Sequence, residues 1–186
     1  GAKMWITNSP VCNLAVVWAK NKKGHIVGLI VERGMEGFST PTINEKWSLR
    51  ASVTGELVFQ DVFIPEENIL KEAKGLKAAL SCLTSARYGI SWGAIGAAMD
   101  CLHSALEYSK ERMQFDKQLA SFQKKKKKIA EMITEITKAQ LLALRVGQLM
   151  DEGKVNPAQV SMAKRNNVEM AIKIARDARQ ICGAMG

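Results

Sequence analysis

LAVVWAKNKKGHIVGLIVE, residues 14–32, is the segment that determines the fold class of the first part of the chain. It contains two apolar runs of strand length, residues 14–19 and 26–32, separated by the polar loop Asn21-Lys22-Lys23-Gly24. Apolar runs on either side of a short loop that ends in glycine are typical of a β-hairpin. We therefore expect an antiparallel pair of strands here.

The β pattern extends over residues 1–72. Eighteen of these residues are Val, Ile or Thr, which favour strands. A further strand is predicted over residues 56–64, and Pro10, Pro41 and Pro65 mark turns. Several short strands joined by turns predict part of a β-sandwich or barrel.

Residues 73–186 have a helical pattern, because their apolar residues recur at intervals of three and four. The pattern predicts three helices, over about residues 76–113, 122–150 and 157–183. Asn156 as N-cap and Pro157 as the first helical residue mark the start of the third helix. Long helices with short connections predict an antiparallel bundle, so the whole chain is of the α+β class. Because three helices leave one face of a bundle open, we expect a fourth helix or another subunit to cover it.

The same spacing predicts which side chains face the core of the bundle. They are Leu76, Leu80, Leu83, Ile95, Met99, Leu102, Leu106, Ile129, Met132, Ile133, Ile136, Leu141, Leu144, Val160, Val168, Ile172 and Ile174. Gly89, Gly93 and Gly96 lie inside a predicted helix and do not follow a strand, so they do not form a dinucleotide-binding motif. We expect these glycines to allow close approach of a second helix.

Composition and charge limit the function classes. With 47% hydrophobic and 24% charged residues, the chain is globular, and no apolar stretch is long enough to span a bilayer. The net charge of +9 comes from residues 73–186, which hold nineteen basic and ten acidic residues.

Five of the positive charges form the run Lys124–Lys128. It has no interleaved aromatic residues, so we expect local attraction of anions and no nucleic-acid binding. Five consecutive residues go round a full helical turn, so at least one lysine is expected to point toward the core. The four cysteines are widely spaced, and Cys101 and His103, which lie two residues apart, would point to different sides of a helix, so no metal site is predicted.

Four segments resemble those of the acyl-CoA dehydrogenases, in the same order and at similar spacing. They are KMWITN (residues 3–8), KWSLRAS (46–52), ERMQF (111–115) followed by Gln123, and ARQICGAMG (178–186). Three details are similar to the glutaryl-CoA dehydrogenase branch of that family in particular. They are NSP (residues 8–10), SLRAS (48–52) and ARYGISWG (86–93).

The resemblance implies a piece of a longer homotetrameric flavoprotein. Residues 1–72 would be part of its β middle domain, and residues 73–186 part of its C-terminal helix-bundle domain. The implied cofactor is FAD, and the implied substrate is an acyl-CoA thioester that is oxidised at its α,β-carbons. The branch implies glutaryl-CoA, which loses CO2 to give crotonyl-CoA, and electron-transfer flavoprotein as the acceptor.

The resemblance also assigns cofactor contacts by position. Trp5 and Thr7 match residues that flank the flavin ring, although a core strand with an inward Trp would give the same local pattern. Arg112 and Gln123 match residues that reach the FAD of a neighbouring subunit, with Phe115 on the adenine side. A further FAD-contacting stretch is implied at Gln180, Ile181, Cys182, Gly183 and Ala184.

The acyl-CoA channel is implied to run along the first helix. Its lining would consist of Leu80, Ser81, Cys82, Leu83, Thr84, Ser85, Ala86 and Arg87, with Arg87 on the CoA side. Ordinary bundle packing accounts for Leu80 and Leu83 equally well.

No catalytic residue is expected in this chain, because the glutamate that removes the α-proton in the family lies beyond the position of Gly186. We therefore expect the 186-residue piece alone to be inactive. Two alternatives stay open: a dehydrogenase with another short-chain substrate, and an inactive fragment that serves as an interaction module. The expected compartment is the bacterial cytoplasm or the mitochondrial matrix.

Overall fold

The computed structural model describes all residues from Gly1 to Gly186, which divide into two compact units, residues 1–81 and 82–186. The β-strands and α-helices are, in chain order, β1 (Ala2–Thr7), β2 (Leu14–Lys20), β3 (Ile26–Glu32), β4 (Phe38–Ser39), β5 (Thr54–Phe59), β6 (Ile69–Lys74), α1 (Gly75–Glu111), β7 (Met113–Gln114), β8 (Lys117–Gln118), α2 (Gln123–Asp151) and α3 (Pro157–Cys182). No helix is both long and apolar enough to cross a membrane.

The predicted hairpin is confirmed. Strands β2 and β3 pair antiparallel over their full lengths, from Leu14 opposite Glu32 to Lys20 opposite Ile26. Asn21 stabilises the loop between them, because its side-chain oxygen accepts hydrogen bonds from two backbone N–H groups beyond it, each at 3.0 Å.

The β unit contains two three-stranded antiparallel sheets, with strand orders β1-β5-β4 and β2-β3-β6. Their side chains share one core, in which Val17 and Val31 of one sheet are buried with Leu57 of the other. The arrangement is part of a sandwich, with no closed barrel.

The strand predicted over residues 56–64 is wrong at both ends. Strand β5 begins at Thr54 and ends at Phe59, because Asp61 takes a positive φ of 50° that a continuous strand does not allow.

The three predicted helices are confirmed to within two residues at each end. Asn156 caps α3 as predicted: its side chain accepts from the Ala158 N–H at 2.9 Å, and the Gln159 side chain accepts from the Asn156 N–H at 2.8 Å. This reciprocal pair is a capping box, which satisfies N–H groups that a helix start otherwise leaves free.

The core of the helical unit is formed by all three helices. It contains Ile95 and Ala105 of α1 and the predicted Met132 and Ile136 of α2, together with residues of α3. Asn167 of α3 is fully buried in this unit. Its amide nitrogen lies 3.3 Å from the Ser91 carbonyl of α1 and 3.4 Å from the Ala139 carbonyl of α2, so one side chain connects the three helices.

Many apolar side chains that were predicted to face the core are exposed in this chain. The exposed set is Leu76, Leu80, Leu83, Met99, Ile133, Leu141, Leu144 and Ile172. A spacing of three and four residues identifies an apolar helix face but not the part of it that another helix covers. In α2, small residues such as Ala139 and Ala143 occupy the face that packs against the other helices. The prediction that three helices leave an apolar face uncovered agrees with this set.

The prediction for Gly89, Gly93 and Gly96 is wrong within this chain, since a Cβ added at any of them would meet nothing within 4 Å. Close approach occurs instead at Gly147 of α2, where an added Cβ would lie 2.2 Å from the Tyr88 hydroxyl oxygen of α1.

Candidate functional site

A β-bulge exposes Trp5. Strand β1 pairs with β5 through Lys3 opposite Leu57 and Ile6 opposite Gly55, so two residues of β1 face one residue of β5. Trp5 lies in this bulge with a φ of 60° and is 61% exposed. A bulge redirects side chains, and a positive φ is unfavourable for a large residue. Both features are found often at functional sites, where the surrounding structure holds them in place. The inward Trp of an ordinary core strand is therefore not what the structure has.

Gly55 makes this arrangement possible. An added Cβ there would lie 2.4 Å from the Pro41 carbonyl oxygen and 2.7 Å from the Ser9 hydroxyl oxygen. Only glycine lets the turn after β1 and the segment after β4 approach β5 this closely.

Trp5 and Thr7 line the same open groove, which has a volume of about 460 Å³. The groove is also lined by residues of the segment 44–52, which contains the KWSLRAS motif. The Thr7 hydroxyl has no hydrogen-bond partner within the chain, so it is available to a ligand. The groove thus combines an exposed indole with a free hydroxyl.

The helical unit presents a second set of predicted site residues around the connection between α1 and α2. This connection is a two-stranded hairpin of β7 and β8, with Phe115 and Asp116 at its tip at φ values of 54° and 56°. Two positive φ values are the pattern of a type I′ turn, which usually needs Asn or Gly. Phe115 is 85% exposed there, and its ring contacts Phe122 edge-on at 6.3 Å between ring centroids.

Arg112 and Gln123 lie at the two ends of this connection. Both are exposed, and the Arg112 guanidinium makes no hydrogen bond or ion pair within the chain. The Arg112 carbonyl accepts the Leu119 N–H at 2.9 Å, which closes the connection. The structure therefore brings Arg112, Phe115 and Gln123 to one end of the helical unit.

The predicted stretch from Gln180 to Ala184 lies at the same end. Lys128 of α2 forms an ion pair with Asp177 and donates a hydrogen bond to the Gln180 side chain, which joins the start of α2 to the end of α3. Lys125 and Lys128 are the two partly buried lysines of the run, in agreement with the prediction that at least one of them points toward the core.

Within that stretch, the residues differ in what they can offer a ligand. The Ile181 side chain is 2% exposed and packs in the core, so only its backbone is accessible. Gly183 ends α3 with a φ of 64°, and Ala184 is exposed. Cys182 is half-buried.

The predicted channel residues all lie on α1, between residues 80 and 87. Leu80, Leu83, Thr84 and Arg87 share one helix face by their spacing. Leu80 is 46% and Leu83 49% exposed, while Thr84 and Arg87 are half-buried. Cys82, Ser85 and Ala86 are exposed, and the Ser81 hydroxyl donates to the Ala78 carbonyl at 2.7 Å.

Two features of the site carried no signal in the single sequence. Arg33 clamps the turn after β1 through hydrogen bonds to three carbonyl oxygens, of Ser9, Pro10 and Cys12. Lys46 belongs to the KWSLRAS motif, but the sequence gives no sign of its role; in the structure it lines the groove. No group of three or more His, Cys, Asp and Glu side chains could hold a metal ion.

Comparison with known proteins gives matches along the chain. The sequence profile of the acyl-CoA dehydrogenase C-terminal domain matches residues 73–186, and that of the acyl-CoA dehydrogenase middle domain matches residues 1–62. The chain is 38% identical to the short-chain specific acyl-CoA dehydrogenase of Megasphaera elsdenii and 38% identical to the mitochondrial isovaleryl-CoA dehydrogenase of Arabidopsis thaliana. It covers 50% and 47% of these proteins, so it spans about half the length of the curated relatives that it matches. All of the chain is covered in both alignments.

A further relative, 37% identical over all of the chain and 50% of its own length, is a subunit of the caffeyl-CoA reductase-Etf complex of Acetobacterium woodii. Among solved structures, glutaryl-CoA dehydrogenase from Mycobacterium smegmatis is 49% identical with a TM-score of 0.94, over 99% of this chain and 47% of that one. A second structure of a glutaryl-CoA dehydrogenase from that organism, in complex with FADH2, is 45% identical with the same TM-score and coverage.

Proposed function

Because the chain belongs to the acyl-CoA dehydrogenase family, we propose that the whole protein is an FAD-dependent enzyme that oxidises an acyl-CoA thioester at its α,β-carbons. The observation that carries the proposal is the groove in which the bulged, exposed Trp5 lies beside the free hydroxyl of Thr7. A flavin ring needs an apolar plane on one face and a hydrogen-bond donor near its edge, and the groove offers both.

The β unit would hold the flavin ring. The Trp5 indole would cover one face of the ring and exclude water from it, and the Thr7 hydroxyl would donate a hydrogen bond to its edge. When bound, FAD supplies the acceptor for the hydride that leaves the β-carbon of the thioester. The protein residues supply orientation and exclusion of water.

The helical unit would hold the dinucleotide phosphates, in the role that the family assigns toward a neighbouring subunit of a homotetramer. The free Arg112 guanidinium offers a planar fork of donors, which suits pyrophosphate oxygens. Gln123 begins α2, where the N-terminal end of a helix favours anions. The Lys124–Lys128 run adds its charge to the positive N-terminal end of the helix dipole, and a bound anion would relieve the repulsion between them. Phe115 would pack on the adenine side.

The exposed face of α1 between residues 80 and 87 would line the acyl-CoA channel, with Leu80 and Leu83 on the acyl chain and Arg87 on the CoA side. The base that removes the α-proton is assigned to a glutamate outside residues 1–186. Electron-transfer flavoprotein is the proposed acceptor, which the relative from an Etf complex supports.

Glutaryl-CoA is the proposed substrate, with loss of CO2 to give crotonyl-CoA. The 49% identity to a glutaryl-CoA dehydrogenase supports this choice. The similarity to short-chain and isovaleryl enzymes favours the alternative of a different short or branched acyl chain.

The experiment compares glutaryl-, butyryl- and isovaleryl-CoA as substrates of the full protein, with acceptor reduction and CO2 release both measured. We expect glutaryl-CoA to be oxidised with the highest kcat/KM and one CO2 per turnover. Faster oxidation of butyryl- or isovaleryl-CoA without CO2 would favour the alternative substrate. Oxidation of none of the three would refute the enzymatic function.

A matched pair of variants tests the phosphate site. Arg112→Gln is expected to lower the flavin content of the purified protein, because it removes the charged donor pair. Arg165→Gln, at an exposed position of α3, is the control and should leave the flavin content unchanged.

A further inference from the structure

The segment of residues 44–52, which lines the groove together with Trp5, has a backbone conformation that other interactions must stabilise. Glu45 has a φ of 57° and Leu49 a φ of 49°, and both line the groove. Positive φ values at non-glycine residues are unfavourable, so this segment keeps its shape only if other interactions fix it. Trp47 and Leu49 add no packing here, since they are 103% and 80% exposed.

Lys46 provides the fixing interactions. Its ammonium group lies 2.8 Å from the Leu49 carbonyl oxygen, 2.6 Å from the Ser52 carbonyl oxygen and 2.7 Å from the Thr54 hydroxyl oxygen. All three N–H donors are therefore used, and they connect the two ends of the segment to the start of β5. A compact ammonium with three donors suits this convergent arrangement, whereas the planar guanidinium of Arg does not.

The charge of Lys46 has no acidic partner. None of the ion pairs of the chain includes Lys46, and the side chain is half-buried. A half-buried cation that is bound only to neutral oxygens leaves a net positive potential in its surroundings. Here the surroundings are the groove that contains Trp5 and Thr7. Glu45 also lines the groove, but it is exposed, so solvent screens its charge more than that of the half-buried Lys46.

We propose that Lys46 is the positioning residue of this groove: its ammonium group holds residues 46–54 in shape and sets a positive potential where the flavin ring binds. The inference rests on the proposed function. A flavin gains electron density when it is reduced, so a fixed positive charge beside it favours reduction. Lys46 thus sets both the fit of the flavin and its midpoint potential.

The test uses the full protein and three variants. Lys46→Met removes the charge and all donors, Lys46→Gln removes the charge but keeps donors, and Lys46→Arg keeps the charge. Lys22→Met, in the exposed hairpin loop, is the control. Flavin affinity, the visible spectrum of the bound flavin and its midpoint potential are measured for each protein, and circular dichroism reports folding.

We expect Lys46→Met to weaken flavin binding by about tenfold or more, which is the effect of losing charged hydrogen bonds. The flavin that stays bound to the Met and Gln variants should have a lower midpoint potential and a shifted spectrum. Lys46→Arg keeps the charge but not the convergent donors, so it should retain flavin with weaker affinity and keep a potential close to that of the wild type. A role in folding alone would change the flavin content but leave the potential of the bound flavin unchanged.

The proposal is overturned if the Met and Gln variants bind flavin with wild-type affinity and potential. Should the Met and Gln variants be folded but free of flavin, retention of flavin by Lys46→Arg supports it. Loss of the folded spectrum in all three variants would assign Lys46 to folding and overturn it. A wild-type protein that binds no flavin would instead refute the proposed function.

Discussion

Asn167→Asp is the substitution that most directly tests how the helical unit is held together. The amide nitrogen of Asn167 donates to the carbonyl oxygens of Ser91 and Ala139, and the side chain is fully buried. A carboxylate has the same shape but no donor, so two oxygens of the core would face a negative charge. We expect a large loss of stability with little change in volume.

The magnitude follows from the geometry. The two hydrogen bonds are long, at 3.3 and 3.4 Å, so each contributes about 0.5 kcal/mol. The carboxylate would keep the hydrogen bond from the Asn166 amide, at 3.1 Å, but would have no cationic partner, and its burial costs about 3 kcal/mol more. We therefore predict that Asn167→Asp lowers the free energy of unfolding by about 4 kcal/mol at pH 7. Asn167→Ala, which loses the hydrogen bonds and leaves a small cavity, should cost about 2 kcal/mol.

The effect should depend on pH in a defined direction. Burial raises the pKa of the introduced carboxyl above its unfolded value, so the folded state binds the proton more tightly. Its stability is therefore greater at low pH and is lost as the pH rises through the folded pKa. The variant should recover part of the difference from wild type when the pH falls from 7 to 5.

Urea unfolding followed by the helical circular dichroism signal measures these free energies, on the full protein. Asn13→Asp, the same chemical change at an exposed position, is the control and should alter stability by less than about 0.5 kcal/mol. If Asn167→Asp lies within about 1 kcal/mol of wild type at pH 7, the buried contact between the three helices is not what the structure indicates.

Three further predictions concern the helices. Gly147→Ala should lower the free energy of unfolding by about 1–3 kcal/mol, because its Cβ would meet the Tyr88 hydroxyl oxygen at 2.2 Å, and Tyr88→Phe should relieve most of the loss. Gly89→Ala should stabilise α1 by up to about 1 kcal/mol, because the added methyl group has open space around it and alanine favours a helix. Thermal unfolding of Gly147→Ala, of Gly147→Ala combined with Tyr88→Phe, and of Gly89→Ala checks the predicted loss, its relief and the predicted gain of stability. A hydrogen bond from Lys110, at 2.7 Å, and the charge of that lysine lower the pKa of Glu107, so Lys110→Met should raise this pKa in an NMR titration. An unchanged pKa would show that the pair does not form in solution.

The helix boundaries could be predicted from sequence because their signals are local. Asn156 and Pro157 act through the first turn of α3, and Gly153 ends α2 with a φ of 67°. The burial of individual apolar residues could not be predicted in the same way. Leu141 and Ile133 have the right spacing for a core but are exposed, since helix spacing identifies an apolar face without saying which surface covers it.

The resemblance named candidate site residues but gave no information on their geometry. The resemblance assigned Trp5 to the flavin from its place in a motif, whereas the bulge that exposes it depends on the register with β5, which is a long-range property. The role of Lys46 also depends on residues up to eight positions away along a loop of irregular backbone. Loops of this kind have no periodicity from which a contact could be inferred.

The most direct test of the central claim is a titration of the flavin-free full protein with FAD, followed by flavin and tryptophan fluorescence, for wild type and Trp5→Phe. We predict saturable binding of one FAD per chain. FAD should quench a larger fraction of the tryptophan emission in the wild type than in Trp5→Phe. Trp47→Phe, which removes the other exposed indole that lines the groove, serves as the comparison. Absence of binding, or equal quenching in wild type and Trp5→Phe, would contradict a flavin site in the groove of Trp5 and Thr7.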